Sequence, residues 1–159
     1  MPTEFALMGR VGVGFALAFL VGFERELRGS PAGNRTFALV GTGTAAIAAV
    51  GLKSSPQAVA GAVTGIGFIG AGVVFHGQGE LVRGLTTAAG IFASAAIGVV
   101  VGSGRLLLGT ATAVIVLLTL ELRYIPGLDL LDASRYQSRF RSDAREPDEP
   151  PEQGEKHSG

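Results

Sequence analysis

The sequence contains no cysteine, so a disulfide framework, a thiolate metal site and a cysteine nucleophile are all excluded. It has two histidines, His76 and His157, and no serine or carboxylate is placed to form a triad with either. Its formal net charge is zero, which removes any bulk electrostatic case for nucleic acid. The scarcest feature is charge in the middle of the chain. From Thr36 to Leu120 only Lys53, Glu80, Arg83 and Arg105 are charged, four in 85 residues. An ordinary soluble domain is roughly a quarter charged, which is about twenty residues over that length. This is the composition of a membrane protein.

Four long uncharged runs result, Thr36–Leu52, Ala58–Phe75, Leu85–Gly104 and Leu106–Leu120. A spanning helix needs about 20 mostly apolar residues, with a range of roughly 17–25. The last run reaches that length if Glu121 and Arg123 snorkel to the interface. A fifth run is Met8–Phe23, with Arg10 near one end. None of the runs has the polar outer face that a soluble bundle requires. Ala16-Leu17-Ala18 resembles a signal-peptide cleavage site, but it lies inside the apolar run and leaves too short an apolar region before it. An uncleaved first span is expected. The fold class expected is all-α, a polytopic membrane helix bundle with about five transmembrane helices.

Orientation follows from the basic residues. With five spans and the N-terminus outside, the inside holds Arg25, Arg28, Arg35, Arg83 and six basic residues after Leu122. The outside then holds Arg10, Lys53 and Arg105, so the balance is ten to three in favour of a cytoplasmic tail. Residues 1–122 form the membrane domain in this reading and 123–159 a polar cytoplasmic tail. Fourteen of those 37 residues are charged, a composition that cannot bury enough apolar surface to fold. Disorder is expected there, with LDLLDASRYQSRF as a candidate surface helix.

What charge there is concentrates in FERELRGSPAGNRTF, residues 23 to 37, between two apolar runs. SPAG fits a turn, with Pro31 fixing φ and Gly33 available for positive φ. Glu24 stands at the edge of hydrocarbon, where an unpaired carboxylate is expensive, so it should pair with an arginine or be neutral. Arg35 and Arg83 each precede a span and are the expected partners. Arg25 and Arg28 read first as interfacial anchors and topology signals. The span AVAGAVTGIGFIGAGVV carries Gly61, Gly65, Gly67, Gly70 and Gly72. Small residues let membrane helices approach closely, so these glycines are expected to face other helices, as are Gly98 and Gly102. Glycines 65, 67, 70 and 72 could alternatively break the helix and expose carbonyls, as transporters do at ion sites.

GFERELRGSPAGNRT, TGIGFIGAGVVF and VRGLTTAAGIFASAAIG, in that order, resemble the membrane domain of the MgtC/SapB family of bacterial inner-membrane proteins. The similarity covers roughly residues 10 to 120. By position the motif residues are Glu24, Arg25, Glu26, Arg28, Gly33, Arg35, Thr36, Gly65, Gly67, Gly70, Gly72, Arg83, Gly84, Thr86 and Thr87. The chain departs from the family pattern at SSPQA, where Gln57 replaces a frequent arginine, and at Phe92, where tryptophan is frequent. Larger relatives carry a folded C-terminal domain where this chain has its polar tail.

The resemblance implies a multi-span protein of the cytoplasmic membrane linked to growth at low magnesium. Two roles stay open: regulation of another membrane protein, and transport of magnesium or another small solute. Magnesium favours near-octahedral oxygen ligands including one or two carboxylates, and no span carries a carboxylate in its middle. Carbonyls of the glycine-rich span with Thr64, Thr86 and Thr87 could still hold a largely hydrated ion, so the metal ligands stay undetermined. The candidate functional cluster is Glu24, Arg25, Glu26, Arg28, Arg35, Arg83, Thr86 and Thr87. Expected partners are membrane lipids and another membrane protein or a second copy, with magnesium possible. No cofactor and no enzymatic activity are expected. GTGTAA and GIGFIG resemble nucleotide loops but lie inside spans with no preceding strand.

Overall fold

The structure is a computed structural model that describes residues 2–75 and 81–122, with the backbone alone at residues 75 and 81–83. Contacts divide the chain into Met1–Leu120 and Glu121–Gly159, and almost all of the second unit lies outside the described residues. The expectations of tail disorder and of a surface helix in LDLLDASRYQSRF fall there.

The first unit is five helices: α1 (Glu4–Leu27), α2 (Asn34–Ser54), α3 (Pro56–Phe75), α4 (Leu81–Gly102) and α5 (Leu106–Glu121). Lipid offers the backbone no hydrogen-bond partners, so each uncharged run closes its own bonds as a helix. Four of the helices are long and apolar enough to cross a membrane. The fifth is apolar but has 16 residues, about 24 Å at the α-helical rise, against a hydrocarbon core of about 30 Å. Its end residues must make up the difference. Buried Gly109 and Ala113, followed by Val116, Leu117 and Leu120 against the core, show α5 running back along the bundle.

Helix ends are set by ordinary chemistry. Thr3 caps α1 five residues ahead of the apolar run, its hydroxyl accepting from the Ala6 N–H at 3.4 Å. Gly29, at φ +68°, ends α1, with its N–H on the Glu26 carbonyl and that of Ser30 on the Arg25 carbonyl. Pro56 opens α3, where its missing N–H costs nothing. Gly104, at φ +93°, ends α4 in the same way as Gly29 ends α1. Gly33, expected to use positive φ, has φ −100° and is extended. The glycine leaves room for the Glu26 side chain, since a Cβ would lie 2.6 Å from its Oε2 and would have to displace that carboxylate.

The core lies between α1, α2 and α4, and close-packed glycines build it. Phe37 is wholly buried and fills a notch left by Gly22 of α1 and Gly90 of α4. One level away, Gly14, Gly41 and Gly98 bring the three backbones together against Ala45 and Thr44. Gly102 packs on the Ala45 backbone and Gly109 on Val101. The expectation for Gly98 and Gly102 therefore holds within one copy. The expectation for α3 does not. Gly61, Gly65, Gly67 and Gly72 have nothing within 4 Å of where a Cβ would stand, and Gly70 meets only Ala88. Gly61, Gly65 and Gly67 are exposed, while Ile66 is the buried hydrophobic residue of α3 among those described. Nor do these glycines break α3, which is helical throughout.

Candidate functional site

The connector between α1 and α2 and the start of α4 share one membrane edge. Their polar side chains meet there. Arg25, in the last turn of α1, donates from Nη2 to Thr87 Oγ1 at 3.3 Å. The Ser30 hydroxyl lies 2.8 Å from the same Thr87 oxygen. Thr87 is fully buried, so these contacts replace water for its hydroxyl. A hydroxyl has one proton and two lone pairs, so Thr87 can accept from Arg25 while sharing a second bond with Ser30 in either direction.

Glu24 is the buried carboxylate of the site, at 8% exposure. Its ion partner is Arg28, one turn along the same helix, with Nε 3.6 Å from Oε1. The i,i+4 spacing puts the two on one stripe of α1. Sequence reasoning favoured Arg35 or Arg83 instead. Arg35 is exposed on the first turn of α2 and makes no ion pair among the described residues. The Arg83 side chain lies outside the described residues. Arg28 needs no loop to hold it in register, being one turn away on the same helix, whereas Arg35 sits on α2 beyond the connector. The expected pairing of Glu24 with Arg83 falls outside the described residues.

Glu26 has a separate task. Its Oε2 accepts from the Asn34 N–H at 2.8 Å, at the first residue of α2. The cap residue itself is Gly33, which has no side chain to offer, so the carboxylate reaches from α1 instead. A carboxylate at a helix N-terminus satisfies an orphan donor and faces the positive end of the helix dipole. Three helices are thus tied at one edge, α1 to α2 through Glu26 and α1 to α4 through Arg25.

Of the threonines considered for a hydrated ion, only Thr87 is enclosed. Thr86 is exposed, and Thr64 is exposed with its hydroxyl donated to the Ala60 carbonyl at 3.0 Å. Among the described residues no three histidine, aspartate or glutamate side chains gather to hold a metal ion. Sequence reasoning missed Ser30 and Asn34. Ser30 carried a signal, as a hydroxyl in a turn beside arginines; the Asn34 contact is through the backbone and carried none. It also left Arg10 as a mere outside charge. Arg10 caps the far end of α4, with Nη1 3.4 Å from the Gly102 carbonyl and its guanidinium against Gly104.

Comparison with known proteins meets this architecture at the same residues. The MgtC family model matches residues 11–125. The protein named MgtC of Brucella abortus (strain 2308) is 42% identical over 123 residues, covering 74% of this chain and 51% of that protein. YhiD of Escherichia coli K12, described as a candidate magnesium transporter, is 44% identical over 115 residues, covering 64% and 53%. An uncharacterized protein of Haemophilus influenzae is 30% identical over 135 residues, covering 76% and 57%. The chain spans about half the length of these curated relatives. No solved structure matches it significantly. The family match takes in four whole helices and most of α1, with every side chain of the polar cluster inside it, and the chain belongs to the MgtC family.

Proposed function

We propose that the chain is a multi-pass protein of the bacterial cytoplasmic membrane that regulates magnesium homeostasis by contact with another membrane protein or a second copy of itself. In this reading the N-terminus is outside, the tail is cytoplasmic and the connector edge faces the cytoplasm, as the ten-to-three basic asymmetry favours. The observation that carries the reading is the use of charge at that edge. Glu26 and Arg25 are engaged in tying helices together, and Glu24 is paired with Arg28 at the end of α1. Arg35 is left exposed at the same edge, able to meet a lipid phosphate or an acidic group on a partner. The magnesium connection rests on the name of a relative.

Direct magnesium transport is the second reading, favoured by that same name. The bundle's chemistry supports it less, since magnesium sites draw on carboxylates and Glu24 stands at a helix end beside Arg28. Growth at limiting magnesium tests the cluster's part in either role. With protein abundance monitored, Glu24→Gln and Arg25→Lys should each reduce growth in a bacterium whose own copy is replaced. Full growth of both variants at parent abundance would mean that the edge is only an anchor.

A further inference from the structure

At the membrane edge opposite the connector, an open groove of about 380 Å³ runs between the ends of α2 and α4 and the start of α5. Leu52, Val99, Val100, Ser103, Arg105 and Leu108 line it. That volume lies within the roughly 300–1,000 Å³ of small-molecule sites, so it can take a length of hydrocarbon chain. Its lining is ordered by depth. Helix α4 runs toward this edge, which puts Val99 and Val100 a turn deeper than Ser103. Helix α5 runs away from the edge, which puts Leu108 deeper than Arg105. The deep wall is apolar and the rim is polar. Ser103 is already spent, its hydroxyl donating to the Val100 carbonyl at 2.6 Å.

The rim carries cations that form no ion pair among the described residues. Three basic residues lie at this edge: Arg10, Lys53 and Arg105. Arg10 is engaged with the end of α4. Arg105 and Lys53 are exposed, and neither side chain has a hydrogen-bond or ion-pair partner among the described residues. Lys53 follows Leu52, which lines the groove. We propose that the groove is a specific site for one anionic phospholipid, an acyl chain lying along Val99, Val100 and Leu108 and its phosphodiester on Arg105. The planar guanidinium suits two phosphate oxygens at once, and Lys53, next to Leu52 in the last turn of α2, adds a second positive charge at the same end of the bundle. A zwitterionic lipid offers the same acyl chain but a head whose own cation opposes Lys53, so the site discriminates by head group. This goes beyond the regulatory reading and does not depend on it.

The chain has no tryptophan, so Leu108→Trp places a single fluorophore in the groove wall. Leu107→Trp, at a position 86% exposed, reports bulk lipid instead. Both full-length variants are reconstituted in phosphatidylcholine vesicles containing increasing brominated phosphatidylglycerol or, separately, brominated phosphatidylcholine. Quenching at position 108 should half-saturate at about fivefold lower fraction of the anionic lipid, the effect of one cation near an anionic head group. Position 107 should show no such preference, and Arg105→Gln should remove most of it at 108. Equal half-saturation for the two lipids at 108 overturns the site, as would be expected if a partner helix occupied the groove. A preference that survives Arg105→Gln overturns it too. Native mass spectrometry of the unaltered chain keeps the test independent of the tryptophan variants. The parent should retain more phosphatidylglycerol than its Arg105→Gln variant, and equal retention contradicts the proposal.

Discussion

Substituting alanine at Gly98 adds one methyl group where three helices meet. The new Cβ would strike Thr44 Oγ1 and stand 2.5 Å from the Gly41 carbonyl oxygen and 3.2 Å from the Ala45 nitrogen. Two of these are backbone atoms of α2, which no side-chain rotation can move aside. To restore ordinary contact at 3.4 Å from Gly41, α4 must retreat from α2 by roughly 0.9 Å. A gap of about 0.5–1 Å forfeits a quarter to a half of each dispersion contact along the seam. Overpacking of this kind costs about 1–3 kcal/mol. Gly65→Ala is the matched control, since nothing lies within 4 Å of its Cβ position. The assay is reversible unfolding in mixed detergent micelles, followed by circular dichroism. Gly98→Ala should unfold at markedly lower denaturing-detergent fraction than the parent, and Gly65→Ala should match it. Equal stability of the two variants would refute the assignment of close packing to the inner glycines.

Two further predictions concern the connector edge. Thr87→Val keeps the side chain's shape and removes the hydroxyl shared by Arg25 and Ser30, at a cost of about 1 kcal/mol because both partners can still reach water. Hydrogen exchange at residues 25–30 should accelerate while the amides around Ile97 keep their protection; unchanged rates at the connector would show that Thr87 does not hold it. Glu26→Ala leaves the Asn34 N–H without its carboxylate and should destabilise the start of α2 by about 1 kcal/mol. Faster exchange of the Asn34 and Arg35 amides measures this, and an unaltered rate removes the cap.

Much of the bundle was legible because the absence of charge leaves a chain in lipid only one way to satisfy its backbone. The five uncharged runs became the five helices, with ends shifted by local caps. The first helix begins at Glu4 and not Met8 because Thr3 caps it, and because Arg10 reaches the Gly102 carbonyl instead of lipid. The glycines were harder to read. Composition shows that small residues permit close approach, but which face meets a neighbour depends on how the helices are rotated. Gly14, Gly22 and Gly41 occupy the seams, while the denser glycine run of α3 faces outward. The connector stood out through its charge. Its pairing did so only in part: Glu24 to Arg28 obeys the helical period and could have been read, whereas Arg25 to Thr87 spans 62 positions that only the tertiary fold brings together.

On the proposed reading, this protein acts on magnesium homeostasis through contact and not by carrying the ion. Purified full-length protein in sealed liposomes, loaded with a magnesium-sensitive dye and given an inward magnesium gradient with the membrane potential clamped, tests it most directly. Magnesium entry should be no faster than in protein-free liposomes, for a chain that restores growth at limiting magnesium when expressed in cells. Entry that scales with protein content, saturates with magnesium and falls in the Glu24→Gln variant would contradict it and establish the protein as a transporter.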